Sequence, residues 1–123
     1  MDQRQIAGGT RNYFGAPATP MPGDRSAAIA DLVARVPGVV EAHLPQCFIE
    51  GEPGARQVLA IVVSTKEEIP RVCNAIGHGL KGILPEGQFL DILPFRQTSV
   101  IPGVREARCQ IYPSNAKAWW KVW

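Results

Sequence analysis

The side chains best suited to covalent chemistry in this 123-residue chain are three cysteines, Cys47, Cys73 and Cys109. A reactive thiol needs a depressed pKa, supplied by a loop of backbone N–H groups or by a neighbouring Arg or Lys. Cys109 follows Arg105 and Arg108, the only electropositive setting of the three. Cys47 is followed by Phe48-Ile49-Glu50, with no glycine before Gly51 and no basic residue before Arg56, so a cradle is lacking there. Cys73 falls on an apolar helical face and reads as a core residue. Thiol chemistry would therefore use Cys109 with Arg105 and Arg108, or Cys47; packing is the plain reading of each. His43 and His78 stand alone, with no H-x-x-x-H between them, whereas zinc takes three or four ligands at recognisable spacing. No metal site is expected. Asp91 lies among apolar residues, and a buried carboxylate needs a partner. A structural ion pair with Arg96 or Arg105 is expected there in preference to a catalytic acid. There is no G-x-S-x-G, no Gly-rich phosphate loop and no Ser/His/Asp order, and no cofactor is expected.

Aromatic side chains offer a different chemistry. All three tryptophans, Trp119, Trp120 and Trp123, stand at the end of the sequence beside Lys117 and Lys121. Tryptophan favours a pocket or an interface because of its large apolar area. The segment 113–123 reads as a Trp-rich tail that either folds back on its own domain or anchors to a protein partner or a second copy, with Lys121 beside the anchors. Contact with a membrane surface is the weakest reading, since there are only two lysines and no amphipathic helix.

Short elements must position these groups, because Gly 12 and Pro 11 punctuate the chain. Residues 1–12 read as a disordered N-terminus, with an extended arm over 12–24. Ile29, Leu32, Val33 and Val36 mark one face of a first helix, capped by Asp24 or Ser26 and stopped by Pro37-Gly38. Val39 to Glu50 reads as a strand with Val40, Ala42 and Leu44 inward and Glu41 and His43 on a wet face. Pro45 marks an edge or a bulge in it. The turn Glu50–Gly54 then predicts an antiparallel hairpin to Gln57–Ser64, a central strand apolar on both faces. Thr65 and Glu68 have capping-box spacing for a second helix, although Pro70 suits a start nearer Glu68. That helix carries Ile69, Val72, Cys73, Ile76, Leu80 and Ile83 on one face. Gly77, Gly79 and Gly82 weaken its second half, one of them allowing close approach to the sheet. Gln88–Leu93 is a third strand, parallel through a crossover. A short helix near Pro102 and an edge strand at Cys109–Tyr112 follow. The order α-β-β-α-β plus a short C-terminal element implies an α+β two-layer sandwich: a small mixed sheet with helices packed on one face.

Composition bounds the rest. The hydrophobic share is 46% and the charged share 20%, which is globular rather than disordered. A formal charge of +2 with no run of one sign argues against a nucleic-acid partner. An odd cysteine count without C-x-x-C argues against a secreted disulfide framework. The polar start Met1–Gln5 lacks the core of a signal peptide, and no apolar run approaches the ~20 residues of a membrane span. A cytoplasmic protein that is not integral to a membrane is expected.

Several segments in order resemble one family. Tyr13-Phe14-Gly15-Ala16-Pro17-Ala18-Thr19-Pro20 is similar to the Gly- and Pro-punctuated approach to the first helix in the C-terminal domain of SseB proteins, bacterial proteins named for enhanced serine sensitivity. Val39-Val40-Glu41-Ala42-His43-Leu44 resembles that family's V-x-x-A-Y-L strand, with His43 in place of Tyr. Leu59–Val63 resembles its apolar central strand, and Leu84-Pro85-Glu86-Gly87-Gln88-Phe89-Leu90-Asp91 its L-P-x-G-x-x-x-D segment. Together they define a domain over 13–112. The resemblance implies that Gly15, Pro17 and Asp91 are structural. It also implies a small α+β domain with a regulatory or immunity-like role, a non-enzymatic interaction domain binding a protein partner or a second copy through the tail or a sheet face. The alternative that it raises is a thiol-dependent, rhodanese-like sulfurtransferase using Cys109 or Cys47. The family's usual P-F-Y ending is replaced here by Cys109-Gln110-Ile111-Tyr112-Pro113.

Overall fold

A computed structural model describes residues 12–19, 21–51 and 54–113 of the chain. The expectations for the N-terminal residues 1–11 and for the tail residues Trp119, Trp120, Lys121 and Trp123 lie outside the described residues. The elements run β1 (Asn12–Gly15), α1 (Gly23–Ala34), β2 (Val39–His43), β3 (Gln46–Ile49), β4 (Ala55–Val63), α2 (Ile69–Leu80), β5 (Asp91–Arg96), α3 (Pro102–Glu106) and β6 (Gln110–Tyr112). They form the expected α+β arrangement, a mixed sheet layered against helices.

Everything is built on β4. Its first residues pair antiparallel with β3 and its last with β2, while β5 lies parallel along its other edge. The sheet order is β1-β3-β4-β2-β6, with β5 branching from β4. Val58 through Val63 are all buried, which is why the run is apolar at every position. Leu59, Ile61 and Val63 pack against Ile29, Val33 and Val36 of the α1 region and Val72, Ile76 and Leu80 of α2. Val58, Ala60 and Val62 alternate to the opposite face.

The strand read over Val39–Glu50 is two strands. Pro45 has no N–H to give to a ladder, and the chain breaks at Leu44-Pro45 so that β2 and β3 each align separately on β4. The extended arm also joins the sheet: β1 pairs antiparallel with β3, Phe14 opposite Cys47. The third strand is displaced from 88–93 to 91–96 and runs through Pro94. Proline is tolerated because β5 is an edge strand among the described residues, bonded on one side only.

Helix termini also differ from expectation. Neither Asp24 nor Ser26 caps α1; Pro22 precedes it, and its carbonyl accepts from the N–H groups of Arg25 and Ser26. Thr65 makes no side-chain cap. A 3-10 turn at Lys66–Glu68 comes first, and α2 begins at Ile69 with Pro70 in its first turn, where a missing N–H costs nothing. Gly79 serves the α1–α2 contact rather than the sheet, since a Cβ there would run into Leu32. Gly38 ends the α1 connection at φ +100°, a backbone shape that side chains resist, and Arg71 clamps that turn by donating to Pro37 O at 2.8 Å while pairing with Glu68.

Candidate functional site

The strand face expected to be wet is closed. Glu41 and His43 are two apart on β2, so they point to the same side, opposite Val62 and Ala60 of β4. The short helix α3 reaches this side, with Val104 fully buried. Gly103 faces Phe14 of β1, whose side chain an added Cβ would meet at ordinary contact distance. Arg105 of α3 donates from Nε and Nη2 to the two carboxylate oxygens of Glu41, at 2.8 and 2.9 Å. Glu41 also accepts from His43 Nε2 at 2.6 Å. His43 is 1% exposed, and its Nδ1 has no partner. The forked Arg–carboxylate pair ties α3 to β2 across 64 residues of sequence, and the imidazole braces the carboxylate from within. The Arg105 guanidinium holds the Glu41 carboxyl below its usual range, against the upward push of burial, with His43 adding to the lowering. Glu41 in turn holds the Arg105 proton more firmly.

This pairing bears directly on the thiols. Arg105 is spent on Glu41. Arg108, just after α3, takes a left-handed backbone conformation, at φ 57°. Cys109 packs its thiol against Ala107 O at 3.2 Å, and its own carbonyl accepts from Leu44 N at 2.9 Å. Burial pushes the Cys109 thiol above its ordinary range, the reverse of thiolate activation. Cys73 is pushed up by burial too, half-covered against the core. Cys47 is buried in β3 opposite Arg56 and Phe14. At pH 7 iodoacetamide is therefore expected to alkylate Cys109 more slowly than it alkylates cysteine in a short unstructured peptide. Mass spectrometry over a time course measures this, and faster labelling of Cys109 would show an activated thiol.

Asp91 forms an ion pair, with a different partner from either of those expected. It opens β5 at the sheet margin, about half exposed, and its carboxylate lies 3.1 Å from Arg56 Nε. Arg56 follows from the register, since β4 carries it two residues before Val58, the residue opposite Asp91, and so on the same side of the strand. Gly15 ends β1 opposite Gln46, and Pro17 is half-buried where the chain crosses towards α1. Among the described residues no group of three or more His, Cys, Asp and Glu side chains could hold a metal ion. No described helix is long and apolar enough to cross a membrane.

Phe89 is the residue whose placement the sequence pattern misses. Read as part of a strand, it stands instead on the loop before β5, 90% exposed. Two open depressions of about 390 and 470 Å³ flank it. Leu84, Leu90 and Asp91 line both; the first continues to Leu80 and Glu86, the second to Met21 and Arg25. Tyr13 and Phe48 make a second exposed aromatic pair across β1 and β3, ring centres 6.2 Å apart. They support one another, whereas Phe89 is bare.

The model of the SseB protein C-terminal domain family matches residues 6–112. No curated protein and no solved structure matches the chain.

Proposed function

The chain belongs to the SseB protein C-terminal domain family, and from that premise we propose that it is a non-enzymatic binding domain whose contact surface is the Leu84–Asp91 loop. The observation that carries this is Phe89. Covering a phenylalanine side chain contributes roughly 1.5–3 kcal/mol, so leaving one 90% exposed forgoes that stabilisation unless another surface completes it. The two depressions beside it give a partner side chain somewhere to seat, with Leu84 and Leu90 as apolar floor and Lys81, Glu86 and Arg25 as polar rim. The remaining polar groups serve the frame: Glu41, His43 and Arg105 join α3 to β2, and Arg56 and Asp91 join β4 to β5. The domain would work in the cytoplasm in a regulatory or immunity-like role, by occupying a partner rather than by transforming a substrate.

Site-specific photocrosslinking tests this reading. A photoreactive phenylalanine at position 89, in the cells the chain comes from, is expected to give a discrete protein adduct. The same group at exposed Glu67, on the turn before α2, is expected to give none. No adduct at 89, or the same adducts at both positions, would overturn the assignment of the surface.

A further inference from the structure

We propose that the Phe89 surface takes the Trp-rich tail of a second copy of this chain, so that two copies exchange tails in a reciprocal dimer. The inference rests on the reading of Phe89 as a contact surface and names its occupant.

Topology places the tail far from its own groove. β6 pairs antiparallel with β2, which pairs antiparallel with β4, so β6 and β5 both run parallel to β4 on opposite sides of it. Three strand spacings separate β6 from β5, roughly 14 Å. Tyr112 stands level with Ala42 and hence with Ile61, so Pro113 leaves the sheet one step beyond that point. Asp91 starts β5 level with Val58, and the depression beside Phe89 also includes Arg56 and Gln57, so the groove lies at the other end of β4. That adds roughly 15 Å along the strands, for a straight line of roughly 20 Å through the packed interior. A path over the α1–α2 layer, on which α1 packs beside β6, adds about one helix diameter of ~10 Å each way. Trp119 and Trp120, six and seven residues past Pro113, reach at most roughly 20–25 Å when fully extended, and Trp123, ten residues past it, at most roughly 35 Å. Over a path of roughly 40 Å all three fall short of their own groove, while the groove of a second copy is open to them.

The chemistry matches. The groove offers a bare phenyl ring and leucine side chains, which suit indole rings. Arg25 on one side can stack on an indole face. The area is also sufficient. Three tryptophans in each of two tails, at roughly 150–250 Å² apiece, bury on the order of 1,000 Å², near the lower bound for a specific interface. One tail and one groove per copy close as a two-fold pair.

The test uses the full chain, and the molecule carries its own probe: every tryptophan is in the tail, so intrinsic tryptophan emission reports on the tail alone. Raising the concentration is expected to double the mass by light scattering and to move the emission to shorter wavelength together. At concentrations where the wild type is monomeric, Phe89→Asp is expected to keep the wild-type melting temperature, since the residue is exposed, and on raising the concentration to remain monomeric with long-wavelength emission. The Trp119→Ala/Trp120→Ala/Trp123→Ala variant is expected to be monomeric as well. Mixing these two variants restores association through the one intact tail and the one intact groove. A wild-type chain that stays monomeric, a short-wavelength emission independent of concentration, a dimer indifferent to both variants, or a mixture that fails to associate would each overturn the exchange. If the chain is monomeric but crosslinks at 89 to a different protein, the tail inference fails and the contact surface stands. If neither association nor an adduct at 89 is seen, both fail.

Discussion

Ile61→Ala is expected to lower stability by about 3–4 kcal/mol, the range for removing buried branched carbons that the surroundings cannot replace. For a domain of this size that shifts the melting temperature by roughly 10–20 °C. Ile61 is fully buried at the centre of β4, level with Ala42 on one side and Pro94 on the other. Its side chain meets both long helices through the cluster that includes Ile29, Val33, Val72 and Ile76. Neither helix can settle into the gap without leaving the other, so the cavity persists. Ile61→Val, which removes one methylene, should cost about 1 kcal/mol. Thermal unfolding followed by circular dichroism measures both. A loss for Ile61→Ala no larger than that for Ile61→Val would show that β4 is not the packing centre.

Glu41→Leu should cost about 2 kcal/mol at pH 7, through a different cause. It strands the His43 imidazole, buried and already without a partner for Nδ1, and it frees Arg105 from β2. A buried polar group left unsatisfied carries the larger share of that cost, because Arg105 is itself half exposed and its pairing counts for less. The effect depends on pH with a definite sign. Arg105 and His43 lower the Glu41 pKa in the folded chain below the ordinary 4.5, so the carboxylate contributes fully above that value. The contribution is lost as the pH falls through the folded value. The melting-temperature gap between wild type and Glu41→Leu should therefore be widest near neutrality and narrow below about pH 4.5. Glu106→Gln, at an exposed carboxylate on the same helix, should show no such gap. A gap that widens on acidification would contradict the assigned network.

These two positions also show what a single sequence discloses. The run over β4, the 3.6-residue spacing of α1 and α2, the parallel crossover to β5 and the short elements at Pro102 and Gln110 are written in local periodicity and in Gly and Pro. Local signals were enough for them. The Glu41–Arg105 pair is not local. Glu41 and His43 alternate with apolar residues as a wet face would, and only the arrival of α3 closes that face. The spacing of Glu41 and His43 does place them on the same side of a strand, and that much was legible. Asp91 shows the same gap. Its ion pair was expected on the premise of a buried carboxylate beside Arg96 or Arg105, whereas the residue is half exposed and its partner, Arg56, follows only from the parallel register of β5 on β4. Phe89 misleads in the other direction. An aromatic beside Leu90 and Ile92 looks like strand and core, yet the turn at Pro85–Gly87 runs on, and the ring is left outside.

The setting of Cys109 follows from the same geometry. Arg105 and Arg108 precede Cys109 in sequence, but the fold gives Arg105 to Glu41 and leaves the sulfur against a carbonyl oxygen. The sequence offers Cys109 as the one thiol in an electropositive setting, with packing as its plain reading, and the fold packs it.

The measurement that bears most directly on a binding rather than a catalytic role is thiosulfate–cyanide sulfur transfer by the purified full chain, with Cys109→Ser and Cys47→Ser beside it. The account expects all three proteins to match the uncatalysed rate at every thiosulfate concentration. Saturable thiocyanate formation by the wild type, abolished by either single substitution, would contradict it.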